Sequence, residues 1–183
     1  MKILFVNSCV RDNSRTLTLS KAYLNKYCTD DIISVVNVAK KNLSPLNAQT
    51  LKEREDDISK QNLTEDKYSL AYEFAAADKI VIAAPFWDFS FPSMLRVYIE
   101  QVAVNGITFG YPHGAPTGYC MAEELVYITT AGGYIGEKSS LEHYLNELCA
   151  MFGIGKLTFI KAEGLDITHN NPDEILNEAI LKL

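Results

Sequence analysis

The feature that most constrains this chain is an alternation of two periodicities. Apolar, β-rich runs at residues 3–6, 32–38, 79–84, 124–130 and 156–162 are separated by longer stretches, most with helical spacing. A strand that is apolar at every position is covered on both faces, which calls for helices on both sides of a sheet. Residues 14–27 place Leu17, Leu19, Ala22, Tyr23 and Tyr27 at near-helical spacing. Residues 64–77 open with Thr-Glu-Asp-Lys, a capping residue followed by acids in the first turn. Residues 92–104 begin on proline, and Asn105-Gly106 is expected to end that helix with a left-handed cap. Residues 139–151 and 173–183 read as two further helices. Residues 40–63 are polar and irregular and are expected to form a loop with a short exposed helix; residues 107–121 read as a Gly/Pro/aromatic loop. The pattern predicts a three-layer α/β fold in a single domain over residues 1–183. Its core is a parallel five-stranded sheet, for which the order 2-1-3-4-5 is favoured over a six-stranded dinucleotide fold.

Composition matters mainly for what it excludes. Seventeen basic against 23 acidic residues give a net charge of −6, which argues against a nucleic-acid partner, since that needs a basic face. It leaves room for one phosphate at a local site. The apolar runs fall far short of the roughly 20 residues that span a bilayer, so no membrane partner is expected. Met-Lys-Ile-Leu-Phe-Val-Asn reads as a first strand rather than a signal peptide. Cys9, Cys28, Cys120 and Cys149 form no CxxC and there is no metal-spaced histidine cluster, so they read as free thiols in a reducing cytoplasm, with no metal.

Doubly wound sheets bind ligands at the carboxyl ends of their strands, near the point where the strand order reverses. Three segments there are unusual. After strand 1, Asn7 to Thr16 runs into a helix and carries hydroxyls at Ser8, Ser14 and Thr16 with a cation at Arg15. A helix start with short hydroxyl side chains suits an anion, although Asn13 or Ser14 could equally serve as a plain cap. The segment lacks glycine and so matches neither GxGxxG nor GxxxxGK[ST], which favours a flavin-type monophosphate over a nucleoside triphosphate. After strand 3, Phe86, Trp87, Phe89 and Phe91 crowd a loop that should face solvent, an arrangement suited to a planar ring, a hydrophobic plug or a dimer contact. After strand 4, Thr130-Ala131-Gly132-Gly133 allows close backbone approach to a ligand, or is a simple turn.

These segments together resemble the FMN-dependent NADH-azoreductase and NAD(P)H:quinone reductase family of flavodoxin-like proteins. The resemblance runs through nearly the whole chain. It rests on Ser8…Ser14-Arg15-Thr16, on Ala84-Pro85-Phe86-Trp87-Asp88-Phe89 and on Gly106-Ile107-Thr108-Phe109. It continues through Ile128 to Gly133 and Ala162-Glu163-Gly164. It implies a flavodoxin-like fold and an oxidoreductase that passes two electrons from NADH or NADPH through FMN to a quinone or azo compound by a ping-pong mechanism. Carried over, Ser8, Ser14, Arg15 and Thr16 hold the phosphate. Phe86, Trp87, Asp88 and Phe89 line the flavin, and Thr130, Ala131, Gly132 and Gly133 contact its edge. Phe109, Tyr111 and Tyr134 stand as substrate-side or lid residues, with His113 beside Tyr134 as a gating or proton-donating candidate. No side-chain acid or base is assigned a catalytic role, because the cofactor carries the chemistry. The resemblance also implies a homodimer, which the nearly all-round apolar helix 92–104 suits. Two departures stand out: Asp88 where the family commonly has asparagine, and Ala131 where it commonly has arginine. A carboxylate only accepts hydrogen bonds, and beside the ring it would lower the flavin potential. Two rival readings remain: a flavodoxin-type electron carrier, and a flavin-free regulatory relative.

Overall fold

The computed structural model describes residues 1–136 and 139–183. Five parallel strands form the sheet: β1 (Lys2–Asn7), β2 (Ile32–Asn37), β3 (Lys79–Ala83), β4 (Glu124–Thr130) and β5 (Lys156–Ala162), in the order β2-β1-β3-β4-β5. This is the expected doubly wound order. β1, β3 and β4 are almost wholly buried, which explains why they read as unbroken apolar runs. β2 is an edge strand, and Ile32, Ile33 and Val35 remain exposed.

Six helices flank the sheet among the described residues: α1 (Arg15–Tyr27), α2 (Ala48–Ser59), α3 (Glu65–Ala75), α4 (Ser93–Val102), α5 (Ser140–Phe152) and α6 (Pro172–Leu181). Alternate strand residues feed two cores. Ile3, Phe5, Val81 and Val126 face α1 and α6, meeting Leu19, Tyr23 and Leu176. Leu4, Val6, Ile80 and Tyr127 face the other layer, meeting Phe74 of α3, Tyr98 of α4 and Phe152 of α5. No helix among the described residues is long and apolar enough to cross a membrane. All four cysteines are free.

Three local expectations need correction. The exposed helix expected within residues 40–63 is present but runs to 12 residues, α2, opened by a reciprocal capping box between Asn47 and Thr50. Its inward group is not an apolar stripe but Arg54, whose guanidinium donates to Glu100 O at 2.8 Å, Ala103 O at 3.4 Å and Gln101 Oε1 at 3.2 Å. A cation on the last carbonyls of a helix both satisfies them and complements the dipole. That docking is also one reason α4 stops at Val102 rather than near Gly106. The other is buried Thr108, whose hydroxyl donates to Val102 O at 2.8 Å. Gly106, at φ 94°, instead opens the next turn. Finally, Thr64 occupies the cap position of α3 but its side chain makes no capping bond. Leu63 and Tyr68 pack in one apolar cluster there, as a hydrophobic staple would.

Candidate functional site

The carboxyl ends of β1, β3 and β4 deliver three loops to one place. Asn7 Oδ1 accepts the Cys9 amide at 2.9 Å, and Ser8 N donates to Ala83 O at 2.8 Å, so the chain leaves β1 still tied to β3. From Val10 to Thr16, no amide makes a well-formed hydrogen bond to another group among the described residues. Seven consecutive donors are therefore available at the start of a helix, where the dipole also favours an anion. Ser14 is the N-cap of α1: its Oγ accepts from Leu17 N at 3.3 Å, and its hydroxyl lies within reach of the Cys9 thiol. Ser8 Oγ is fully buried with no partner among the described residues.

The aromatic loop is a two-residue hairpin. Trp87 and Ser90 exchange backbone hydrogen bonds of 3.1 and 2.8 Å, and the residues between them, Asp88 and Phe89, stand at φ 51° and 61°. Positive φ at both central positions is the mirror-image turn that hairpins prefer, usually met by Asn-Gly. Asp88 suits the first position, whereas Phe89 carries strain at the second. The turn splits the loop. Phe86 and Trp87 face the cavity, while the Phe89 ring projects outward, 82% exposed, edge-on to Phe86 at 6.4 Å.

The third loop is laced to the segment after β5. Leu165 N donates to Ala131 O at 3.2 Å, Asp166 N to Gly132 O at 2.9 Å and Gly164 N to Gly133 O at 2.8 Å. Glu163 Oε2 accepts the Ile135 amide at 2.8 Å. Across the floor, Thr16 Oγ1 and Thr130 Oγ1 share a hydrogen bond of 2.6 Å that joins α1 to the end of β4.

These loops enclose a cavity of about 340 Å³, within the ordinary range for small-molecule sites. Of the residues expected from sequence, Ser14, Arg15, Thr16, Phe86, Trp87, Thr130, Ala131 and Gly132 line it. Ser8 lies buried behind the lining, and Asp88, Phe89 and Gly133 point or sit outside it. Phe109, Tyr111 and Tyr134 do not line it either. Phe109 packs against the core with Tyr111 edge-on at 5.8 Å, and the exposed Tyr134 ring lies beside Gly164. His113 is on the exposed turn at Pro112–Gly114. Sequence reasoning missed Val10, Arg11, Asn13, Pro85, Leu165 and Asp166. The first four lie within segments already singled out, and Leu165 and Asp166 directly follow the Ala162-Glu163-Gly164 segment, where no aromatic or charged cluster marks a site.

The charged groups of the cavity are Arg11, Arg15 and Asp166, and Arg15 Nη1 meets Asp166 Oδ1 at 2.9 Å. The nearest thiol, Cys9, is buried, which pushes it above its usual range and leaves it a thiol at neutral pH. A larger cavity of about 580 Å³ lies by the amino ends of the strands, but its half-buried charges, Lys79 and Glu124, pair with each other.

A family model described as flavodoxin-like fold matches residues 1–183. The FMN-dependent NADH:quinone oxidoreductase 2 of Clostridium acetobutylicum is 33% identical, over 99% of this chain and 95% of that protein. The FMN-dependent NADH:quinone oxidoreductase of Clostridium beijerinckii is 34% identical over the same shares. Among solved structures, an azoreductase from Bacillus anthracis superposes with a TM-score of 0.85 at 22% identity, over 100% of this chain and 96% of that one. An FMN-dependent NADH-azoreductase from the same organism, in complex with FMN, gives 0.82 at 20% identity, over 100% and 95%. The structural likenesses establish the fold. The match along the whole chain, with relatives one-third identical across almost all of both sequences, makes this protein a member of the flavodoxin-like fold family.

Proposed function

We propose that this protein is an FMN-dependent NADH:quinone oxidoreductase that also accepts azo compounds. The observation that carries the reading is the run of seven available amides at the start of α1, six of whose residues line the same cavity as the Phe86–Trp87 wall. A phosphate monoester needs the first and a planar ring needs the second. The curated relatives are named for the same cofactor and donor.

The residues present fit FMN. The amides of Val10 to Thr16 and the Ser14 hydroxyl would hold the phosphate, with Arg11 and Arg15 supplying positive charge at the rim. Phe86 and Trp87 would lie along the ring, with Pro85 and Leu165 completing an apolar wall. Thr130 to Gly132 would border the ring edge, where a side chain at 132 would require the Asp166 carboxylate to move aside. Bound FMN would supply the redox chemistry, a two-electron exchange between the nicotinamide donor and the acceptor in separate half-reactions. The chain's share is to orient the cofactor and to leave one face open to donor and acceptor in turn. We further propose that Asp88 and Phe89 border that open face, and that Phe109, Tyr111 and Tyr134 form its outer rim. A second copy of the chain, packed along α4 where Met94 and Val97 are only half-buried, would complete the site.

The test is an anaerobic absorbance spectrum of the FMN-loaded protein before and after NADH. Bleaching followed by recolouring on addition of a quinone is the expected result. Bound flavin that NADH fails to bleach would point to an electron carrier. A protein that stays colourless with added FMN would point to a flavin-free relative.

A further inference from the structure

Two oppositely charged residues meet at the rim of this cavity, from segments that are distant in sequence. Arg15 belongs to the first turn of α1 and Asp166 to the loop after β5, and their contact is 2.9 Å. Each is set in place by its own surroundings. Asp166 is anchored through its amide to Gly132 O, and its carboxylate lies tightly over Gly132. Arg15 is a cation at a helix N-terminus, where the dipole disfavours it, so a carboxylate partner offsets that penalty. Both side chains remain substantially exposed, 41% and 71%. Exposed pairs of this kind are weak and exchange partners readily.

We infer that Asp166 is a positioning residue for Arg15: it keeps the guanidinium engaged at the rim, and a doubly charged phosphate must displace the carboxylate to recruit it. The inference rests on the reading of the Val10–Thr16 segment as the phosphate site. It makes a prediction that depends on ligand charge. Removing the carboxylate frees Arg15 for a phosphate ester and leaves a neutral ligand of the same ring system indifferent. Riboflavin is that neutral ligand.

The experiment titrates the flavin-free protein with FMN and with riboflavin, following quenching of flavin fluorescence, for the wild type, D166N, R15Q and R15Q/D166N. D166N is expected to bind FMN up to about fivefold more tightly at low ionic strength, with the gain shrinking as salt is added, and to bind riboflavin unchanged. R15Q is expected to bind FMN more weakly. In R15Q/D166N the gain from D166N should fall below about twofold, because the group it releases is gone. Equal changes for FMN and riboflavin would show that Asp166 merely clamps the loop, and would overturn the inference. An undiminished gain in the R15Q background would do the same, by making Asp166 a bare repulsive charge. FMN binding by the wild type that D166N leaves unaltered overturns the inference alone. A wild type that binds neither flavin overturns the reading of the site along with it.

Discussion

At the scale of single residues, the site turns on backbone groups and on the side chains that keep them available. Ser14 caps α1 through its oxygen and lines the cavity, so in the proposed function it would serve helix and ligand together. Ser14→Asp retains a capping oxygen and places a negative charge where the phosphate would sit. It should leave the fold intact and weaken FMN binding by at least about 100-fold, an electrostatic penalty suited to two anions at close range. Retention of flavin through gel filtration would rule that out. Phe89 supplies the opposite case, a residue whose conformation costs stability. A side chain at its φ of 61° costs about 1–2 kcal/mol relative to glycine. Its edge contact with Phe86 returns about 0.5–1 kcal/mol. The first term is larger, so Phe89→Gly should stabilise the protein by roughly 0.5–1 kcal/mol, raising Tm by about 2 °C. If that variant also slows turnover, the strain is retained for the ring's position at the open face. Phe89 could be recognised in sequence as an unusual aromatic, but its outward direction could not, because the direction follows from a turn type that Asp-Phe does not announce.

At the scale of elements, α2 shows how a helix can be held by a polar group. Burial of the Arg54 guanidinium lowers its pKa from the usual arginine value, while three acceptors at the end of α4 satisfy its donors. Arg54→Met removes the charge and leaves carbonyls at the end of α4 unpaired. It should cost about 2–3 kcal/mol in denaturant unfolding and expose residues 40–63 to proteolysis first. An unchanged digestion pattern would show that other contacts dock α2. The helix's extent and docking were hard to read because its window, Lys-Glu-Arg-Glu-Asp-Asp, looks like a solvated charge run, and only one of those charges is buried. The strands were legible because burial on both faces leaves its mark on every position.

At the scale of the whole molecule, the two ends of the sheet are built differently. The carboxyl ends leave donors available for a ligand. At the amino ends, Lys79, Glu124 and Lys156 open three neighbouring strands in register and satisfy one another. Burial would raise the Glu124 carboxyl, but hydrogen bonds from Lys156, Lys79 and Thr158 together hold it down at about 2, below its ordinary value of 4.5. A carboxyl lowered by folding stabilises the native state above the unfolded value, and that contribution is lost as pH falls from about 4.5 towards 2. Glu124→Gln should therefore cost about 1–2 kcal/mol at neutral pH and flatten the acid limb of the stability curve over that window. A variant whose acid limb matches the wild type would show that other carboxyls govern acid unfolding.

The sequence by itself determined the alternation of strands and helices, the parallel order they adopt and the three loops that meet at one cavity. Each of these follows from local periodicity, from the handedness of strand–helix–strand connections and from the rule that such sheets bind at their carboxyl ends. The tertiary structure alone decided that Trp87 faces the cavity while Phe89 leaves it, that α2 docks through Arg54, and that Asp166 reaches Arg15 across 151 residues of chain. Those outcomes depend on one turn's dihedral angles and on contacts between distant segments, and neither leaves a periodic trace in the order of the amino acids.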